Sequence, residues 1–303
     1  MRENAPQRHR LNRVVNFAQC NLSEPLSLDD LADVACLSKF HFSRLFRTYL
    51  KETPLAFLWR LRLEQAARRL AFVPEARVTD IAYECGFASP EALSRAFRRH
   101  FGASPSQFKH ENHCSLEGFG RAGIFGQSVY VPPRLDRAVE IGRRHVTIQH
   151  RPEYQVAYIR HCGPYGDVND SISRQFEALK TWALMRGVAS EEASYIGLCR
   201  STPSLTPVRH CIYDACMVVP DHFTEDNIVS RQIIPGGKHA VWSVECPPRQ
   251  LYHMWQWLLS SWLPASGYIH RQSPVYEYSP PAGPGEAGLE NLRVDLCLPV
   301  SRA

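Results

Sequence analysis

The segment CGFASPEALSRAFRRHFGASPSQFK (residues 85–109) has the pattern of a tight turn followed by an amphipathic helix. Gly86 stands at the turn, where a positive φ costs glycine nothing. Ser89 is placed to cap the helix, and Pro90 occupies its first position, where the missing N–H is harmless. A similar segment, CLSKFHFSRLFRTYLKETPLAFL, begins at Cys36. The chain therefore carries this unit twice.

The two copies match at several further places. The offset is 50 residues before the turn and 51 after it, so the second turn is one residue longer. The matched segments are residues 31–32 with 81–82, 43–47 with 94–98, and 53–54 with 104–105. Each copy is predicted to form two helices joined by a tight turn, with apolar residues at the spacing of one helix face. A match at this many positions is much stronger than a single helical pattern.

The two copies are separated by PLAFLWRLRLEQAARRLAF, which is predicted to form one amphipathic helix over Pro54–Phe72. At about 1.5 Å per residue this helix is roughly 27 Å long. A rod of that length can hold two recognition helices about one DNA turn, ~34 Å, apart on one face of the duplex.

The basic residues are unevenly distributed along the chain. The net charge of the 303 residues is +5. Residues 1–112 hold 17 Lys and Arg against 12 Asp and Glu, whereas residues 113–303 hold 18 of each class. The whole basic excess lies in the part with the duplicated unit, which favours a polyanionic partner for that part. By itself the excess is modest and is equally compatible with a solvated face.

Residues 11–109 resemble the DNA-binding region of the AraC/XylS family of transcription regulators. The resemblance is carried by SKFHFSRLFR, IAYECGF and SRAFRRHFGASPSQFK, and the last two are close to the family signature. It implies an all-α double helix-turn-helix domain over residues 8–110 whose recognition helices enter successive major grooves of promoter DNA. It also implies RNA polymerase as a partner.

The resemblance further implies which side chains meet the DNA. The residues expected near bases are Phe40, Ser43 and Arg44 on the first recognition helix and Glu91, Ala92, Ser94 and Arg95 on the second. Arg44 and Arg95 can each hold a guanine bidentately, and Phe40 can meet a thymine methyl. The residues expected to reach phosphates are Lys39, Arg47, Arg98 and Arg99.

Each of these assignments has a structural alternative. A single exposed arginine is more often a surface charge than a base contact, and Phe40 could be a core residue. The paired positions of Arg44 and Arg95 in duplicated helices favour base reading. Cys36 stands where the family usually has glycine, so this turn is expected to differ or to carry strain. Residues 90–92, Pro-Glu-Ala, are poor base readers, so the second helix is expected mainly to position the protein.

Residues 111–144 are rich in Gly and Pro and are predicted to be a linker. From His145 one order of elements occurs twice: a pair of strands, a helix and two further strands. The paired strands are expected to turn at residues 151–152 in the first half and at residues 235–237 in the second. The closing strands align Asp214 with Asp295. The sequence therefore predicts an α+β domain over residues 145–303, with two βαββ repeats in an antiparallel sheet related by a pseudo-twofold axis.

This order, together with HCGPYGDV, GGKHAVW, WLPASGY and LCLPV, resembles the GyrI-like effector-binding domain. The pairing of the two domains is similar to that in Rob-like regulators. The resemblance implies a groove between the halves that binds small, often cationic and apolar, molecules. Aromatic faces around a buried carboxylate suit an organic cation. The residues expected to line the groove are Tyr158, Tyr213, Asp214, Trp242, Glu245, Trp262 and Asp295.

Two alternatives stay open for these residues. Asp295 stands where the family tends to place its acidic ligand-contacting residue, often Glu, and a pocket role and a structural hydrogen bond are equally open for it. Any single tryptophan is more often a core residue than a pocket wall.

The sequence shows few signs of catalysis. It contains no Walker loop, no GxGxxG before a helix and no GxSxG. HENHC has metal-capable residues, His110, His113 and Cys114, but it follows the last DNA-binding helix and is interpreted as a polar tail. We therefore expect no cofactor, no metal site and no catalytic residue.

These observations predict a cytoplasmic transcription regulator that binds promoter DNA and senses a small molecule or a protein partner. The start, MRENAPQRHRLN, lacks the apolar core of a secretory signal, and ten cysteines without a CxxC pair indicate reduced thiols. No apolar run approaches the length of a membrane span. The alternatives are a GyrI-like hydrolase, with Glu245 or Asp295 and a tyrosine as acid and base, and a sequestering binding module, each tethered to DNA by the helical domain.

Overall fold

The computed structural model describes residues 5–73, 75–111, 145–165, 171–188, 193–271, 273–281 and 292–302. The described residues fall into two compact units, residues 5–111 with Pro203–His210 and residues 145–202 with 211–302. Most of the predicted linker, residues 112–144, lies outside the described residues, as do His113 and Cys114. The domain boundaries given above remain predictions.

The N-terminal unit is helical, as the sequence predicts. Its helices are α1 (Ala5–Cys20), α2 (Leu28–Val34), α3 (Lys39–Leu50), α4 (Pro54–Phe72), α5 (Val78–Glu84), α6 (Pro90–Phe101) and α7 (Pro105–Glu111). The linker helix has the predicted bounds because the Thr53 hydroxyl caps its first turn and Pro54 stands where no N–H is needed. Helices α3 and α6 are the predicted recognition helices of the two copies.

The duplication extends to the packing of aromatic side chains. Phe46 of α3 meets Phe57 of α4 edge to face, with ring centroids 5.4 Å apart. The matching pair in the second copy, Phe97 of α6 and Phe108 of α7, is 5.2 Å apart at 84°. All four rings are fully buried. Each helix-turn-helix therefore has its own aromatic core, which holds the recognition helix by its buried face.

The backbone adopts the same left-handed conformation at two matching positions of each copy, but the residues there differ between the copies. Gly86 and Gly102 have φ of 75° and 78°, and the matching Cys36 and Lys51 have φ of 52° and 61°. A left-handed conformation crowds the Cβ of any residue other than glycine. The strain expected at Cys36 is therefore present, and Lys51 adds a second strained position in the first copy.

The two copies are joined through Arg62 of the linker helix. Its guanidinium donates to the carbonyl oxygens of Leu22, at 2.9 Å, and Glu24, at 2.5 Å, both in the loop before α2. Gly86, in the turn of the second copy, lies against the same groups, and a Cβ there would overlap the Leu22 carbonyl oxygen and lie 2.8 Å from Arg62 Nε. This contact joins the two helix-turn-helix units, whose relative position governs how two grooves of DNA can be met.

The C-terminal unit contains nine strands and two main helices among the residues described. These elements are β1 (Thr147–Arg151), β2 (Tyr154–Cys162), α8 (Ser171–Met185), β3 (Tyr195–Cys199), β4 (Ile212–Val218), β5 (Ser230–Ile234), β6 (Gly237–Cys246), α9 (Leu251–Trp257), β7 (Tyr268–His270), β8 (Val275–Ser279) and β9 (Leu292–Arg302). A π-helical turn, Leu258–Trp262, and a short helix α10, Leu263–Ala265, extend α9.

The sheet confirms the predicted two βαββ repeats and their pseudo-twofold relation. Its strand order is β1-β6-β9-β8-β3-β4-β2-β5, with β7 paired to the end of β9. The two halves correspond strand by strand: β1 with β5, β2 with β6, β3 with β8 and β4 with β9. When each strand is exchanged for its counterpart, the same order results, read from the opposite edge of the sheet. The axis passes between β3 and β8, at the pair formed by Gly197 and Glu277.

The two predicted hairpins, β1 with β2 and β5 with β6, do not form, because these strands pair with other partners. β1 pairs with β6 and β5 pairs with β2, so each half lends its first strand to the other. Only two residues separate the strands at each place, 152–153 and 235–236, and each connection begins with proline. A two-residue hairpin needs a positive φ at its first central position, which proline cannot adopt.

The two faces of the sheet carry different groups of side chains. Met217 and Ala157 pack with Leu179 and Trp182 of α8, which defines the helix-covered face. Residues of opposite parity, such as Tyr158 and Cys216, form a second core on the other face. Because neighbours along a strand point to opposite faces, this division places every strand residue on one face or the other.

The contact at Gly86 leads to a prediction about stability. Gly102→Ala is expected to lower the free energy of unfolding by about 1–2 kcal/mol, because the only cost is that alanine must adopt a left-handed backbone conformation. No atom lies within 4 Å of a Cβ there. Gly86→Ala is expected to cost clearly more, because the backbone carbonyl of Leu22 must also move. Thermal unfolding followed by circular dichroism compares the two, and equal losses would show that the contact at Gly86 contributes nothing.

Candidate nucleic-acid interface and ligand site

The first recognition helix, α3, exposes the residues that the sequence assigns to DNA. Phe40 is 91% exposed, which rules out the core alternative for this side chain. Arg44 is exposed, and its Nη2 lies 3.2 Å from His41 Nδ1, one turn earlier. Lys39 forms an exposed ion pair with Asp29 of α2 at 2.6 Å. Burial of Phe42 and Phe46 on the opposite side orients this face outward.

The second recognition helix, α6, presents the matching face. Ser89 caps it, with the hydroxyl accepting from Ala92 N at 3.2 Å. A hydrogen bond with Ser89 also lowers the pKa of the exposed Glu91. Arg95 is exposed at the position that matches Arg44. None of the eleven residues predicted to meet DNA is buried: Lys39, Phe40, Ser43, Arg44, Arg47, Glu91, Ala92, Ser94, Arg95, Arg98 and Arg99.

The C-terminal unit buries one carboxylate, Glu277, on the helix-covered face of the sheet, at the pseudo-twofold axis. The Tyr213 hydroxyl donates to Oε2 at 2.7 Å, and the Trp255 indole N–H donates to Oε1 at 2.9 Å. The Cys199 thiol lies 3.7 Å from Oε1. Tyr213 also meets Phe176 of α8, so both main helices border the carboxylate.

Within the described part of the chain, no cationic side chain pairs with this carboxylate. The ion pairs among the described residues do not include Glu277, which is only 8% exposed. Burial raises the pKa of Glu277, and the three hydrogen bonds offset this only in part. A buried carboxylate with aromatic neighbours and no counter-charge is the arrangement that an organic cation completes.

Gly197 makes room for this arrangement. It faces Glu277 across the β3–β8 pair, and it is the counterpart of Glu277 in the other half. A Cβ on Gly197 would overlap the Tyr213 hydroxyl and lie 2.8 Å from Glu277 Oε2. The axis can therefore hold one carboxylate with its tyrosine donor only because one half has glycine there.

The structure brings few of the seven predicted ligand residues together. Tyr213 contacts Glu277, and Trp242 lies on the same face against Trp257 of α9, with centroids 4.7 Å apart. Glu245 is exposed at the end of β6, and Trp262 lines a separate cavity.

The other three lie on the opposite face of the sheet. Tyr158 is a member of the core there. Asp214 is fully buried between Arg160, at 2.7 Å, and Arg200, at 2.5 Å, which hold its pKa at about 2 although burial opposes this. Asp295 pairs with Arg151 at 2.5 Å and accepts from the Ser243 hydroxyl at 2.6 Å. Both aspartates thus have cationic partners of their own.

Glu277 was missed by sequence reasoning, although a signal was present. It is the acidic residue of SPVYEYSP, between two tyrosines in a short strand pattern. Its importance depends on pairing with Gly197, some 80 residues earlier, which no local pattern shows. Among the residues described, three or more potential metal ligands do not come together, and no helix is long and apolar enough to cross a membrane.

Comparison with known proteins finds a match for each of the two units. The model of a GyrI-like small molecule binding domain matches residues 144–301, and a helix-turn-helix domain model matches residues 31–111. The HTH-type transcriptional activator RhaS of Enterobacter sp. (strain 638) is 36% identical over 108 residues, which is 36% of this chain and 38% of RhaS. The HTH-type transcriptional regulator ArgR of Pseudomonas aeruginosa is 30% identical over 102 residues, 34% of this chain and 31% of ArgR.

A solved structure also matches the helical unit. The DNA-binding domain of AdpA, a global transcriptional factor in complex with a target DNA, is 37% identical and covers 33% of this chain and 90% of that one, with a TM-score of 0.32. The chain spans about a third of the length of the curated relatives named above. Fold and matches define a helix-turn-helix protein with a small-molecule binding domain. The chain belongs to the GyrI-like family, and its N-terminal part is an AraC-type helix-turn-helix domain.

The contact between Gly197 and Tyr213 can be tested by a double-mutant cycle. Gly197→Ala is expected to destabilise the protein because the new Cβ collides with the Tyr213 hydroxyl. Adding Tyr213→Phe removes that hydroxyl, so the double variant is expected to regain about 0.5–3 kcal/mol of unfolding free energy relative to additivity. Additive losses in thermal or urea unfolding would contradict the contact.

Proposed function

We propose that the protein is a sequence-specific DNA-binding transcription regulator whose C-terminal domain senses a small organic cation. The observation that carries the ligand part is the Glu277 carboxylate, enclosed by neutral donors without a cationic partner. The proposal places the protein in the cytoplasm, with promoter DNA and RNA polymerase as partners and no enzymatic activity.

The DNA-binding part is supported by the duplicated geometry. Arg44 and Arg95 occupy matching positions on two exposed helix faces, and Arg62 and Gly86 hold the two copies together. Guanidinium groups at such positions can donate bidentately to guanine in the major groove. Arg47, Arg98 and the neighbouring basic residues supply charge for the phosphates.

The ligand part is supported by electrostatics. Taking a carboxylate out of water costs several kcal/mol unless a counter-charge or enough hydrogen bonds replace the solvent. Glu277 has three donors and no counter-charge among the described residues, so a bound cation would gain a strong partner. Tyr213, Trp255 and Phe176 offer the aromatic surfaces that organic cations favour.

The hydrolase alternative receives less support. Burial raises the pKa of Tyr213 far above neutrality, so this hydroxyl stays protonated and cannot serve as a base. The carboxylates of that alternative lie apart from Tyr213, because Glu245 is exposed at the end of β6 and Asp295 pairs with Arg151 on the other face of the sheet.

Base reading can be separated from phosphate contact. The double variant Arg44→Ala and Arg95→Ala is expected to lose preference for the cognate site over random DNA, because each bidentate contact contributes about 1–3 kcal/mol of discrimination. The matched control, Arg47→Ala and Arg98→Ala, is expected to weaken binding to the cognate site and to random DNA by the same factor. The affinity ratio is measured at one fixed salt concentration, since affinity alone varies with salt. An unchanged ratio in the first variant would exclude these arginines from base reading.

Glu277→Gln is expected to have opposite effects on ligand binding and on stability. Because the folded-state pKa of Glu277 is raised above its ordinary value of 4.5, its contribution to stability is fully present below that value and is lost as pH rises through the folded pKa. The amide cannot ionise, so the variant is expected to melt higher than the wild type at pH 7 and to lose binding of tetraphenylphosphonium in calorimetry.

The pH dependence of binding and a matched variant complete this test. Wild-type affinity for the cation is expected to rise with pH as Glu277 ionises. Asp295→Asn is expected to leave the affinity nearly unchanged, because Asp295 already pairs with Arg151 on the other face. Loss of cation binding in Asp295→Asn but not in Glu277→Gln would move the ligand site to Asp295.

A further inference from the structure

A cavity in the C-terminal unit lies apart from the Glu277 site. Its volume is about 340 Å³, within the range of small-molecule pockets. It is lined by Trp257, Ser261, Trp262, Ala265 and Ser266. None of these residues donates to Glu277, whose donors come from β3, β4 and Trp255. The cavity therefore needs its own explanation.

The cavity is built by the irregular end of α9. The chain passes from α-helix to a π-helical turn at Leu258–Trp262 and then into α10. A π turn is wider than an α turn, and single π turns within α-helices occur frequently at functional sites. Trp257 and Trp262 are five residues apart, and both line the same cavity.

The two tryptophans are held in place, and one has an unused donor. Trp262 stacks on Tyr268 with the ring planes 13° apart. Trp257 is 6% exposed and packs against Trp242. Its indole Nε1–H has no hydrogen-bond partner among the described residues. This nitrogen has almost no accessible surface, so the cavity offers a ligand the indole faces and not this N–H.

The lining residues indicate the class of ligand. Of the residues that the structure describes, no charged side chain lines the cavity, so none of them would hold a charged ligand by ion pairing. The indole faces offer stacking surfaces, and the serines bring hydroxyl groups to the lining. We propose that this cavity binds a neutral, planar aromatic molecule that stacks on the faces of the two indoles. This site is additional to the cation site of the proposed function.

The proposal is tested with 1-naphthol as the probe on the full chain. We expect one saturable site in calorimetry. Ala265→Trp should abolish it by filling the cavity, and Ala265 is exposed, so the fold should tolerate the change. Ala265→Ser is the matched control and should bind normally. Trp262→Leu removes one indole face but keeps an apolar side chain, and should weaken binding by about tenfold, the effect of one lost aromatic pair.

The outcomes separate this site from the cation site. Glu277→Gln should still bind 1-naphthol, and Ala265→Trp should still bind tetraphenylphosphonium. The absence of saturable binding to the wild type, or its loss in Glu277→Gln but not in Ala265→Trp, would overturn the proposal. If 1-naphthol binds as expected but the cation does not bind the wild type, the proposed function fails and this inference stands.

Discussion

The buried charge of Glu277 is the constraint on which the arrangement of the C-terminal unit depends. A carboxylate withdrawn from water must receive hydrogen bonds or a counter-charge, or its burial costs several kcal/mol. The donors come from β4, α9 and β3, so the sheet register and the position of α9 must agree within hydrogen-bond distance. Gly197 completes the arrangement, because no side chain fits opposite the carboxylate.

The helical unit depends on a constraint of the same kind. Gly86 approaches the Leu22 carbonyl so closely that no side chain is possible, and Arg62 satisfies that carbonyl and the next one. A long helix alone would fix only the distance between the two helix-turn-helix units. The contact around Arg62 also fixes their rotation, and two major grooves can be met together only when distance and rotation both agree.

Local patterns were sufficient for most elements and insufficient for their partners. The bounds of α4 follow from Thr53, Pro54 and apolar spacing, all of which act within one turn. The exchange of β1 and β5 between the halves depends on which distant strand each one meets, and the prolines of the connections only exclude the hairpins. Asp214 and Asp295 do occupy equivalent positions in the two halves, as their alignment predicts. Both side chains nevertheless lie on the face of the sheet away from the helices. A strand pattern shows that faces alternate but not which face a helix will cover.

By itself the sequence determined the two duplications and the helical and α+β classes, because helix periodicity, capping and turn chemistry act between neighbouring residues. The candidate base readers are what the resemblance to the AraC/XylS family implies. Tertiary structure alone decided which carboxylate lacks a counter-charge. Asp214, Asp295 and Glu277 are all acidic residues in strands, and they differ in the face of the sheet they occupy and in the arginines brought near the two aspartates. Those arginines reach them across paired strands and loops, over separations that no local pattern spans.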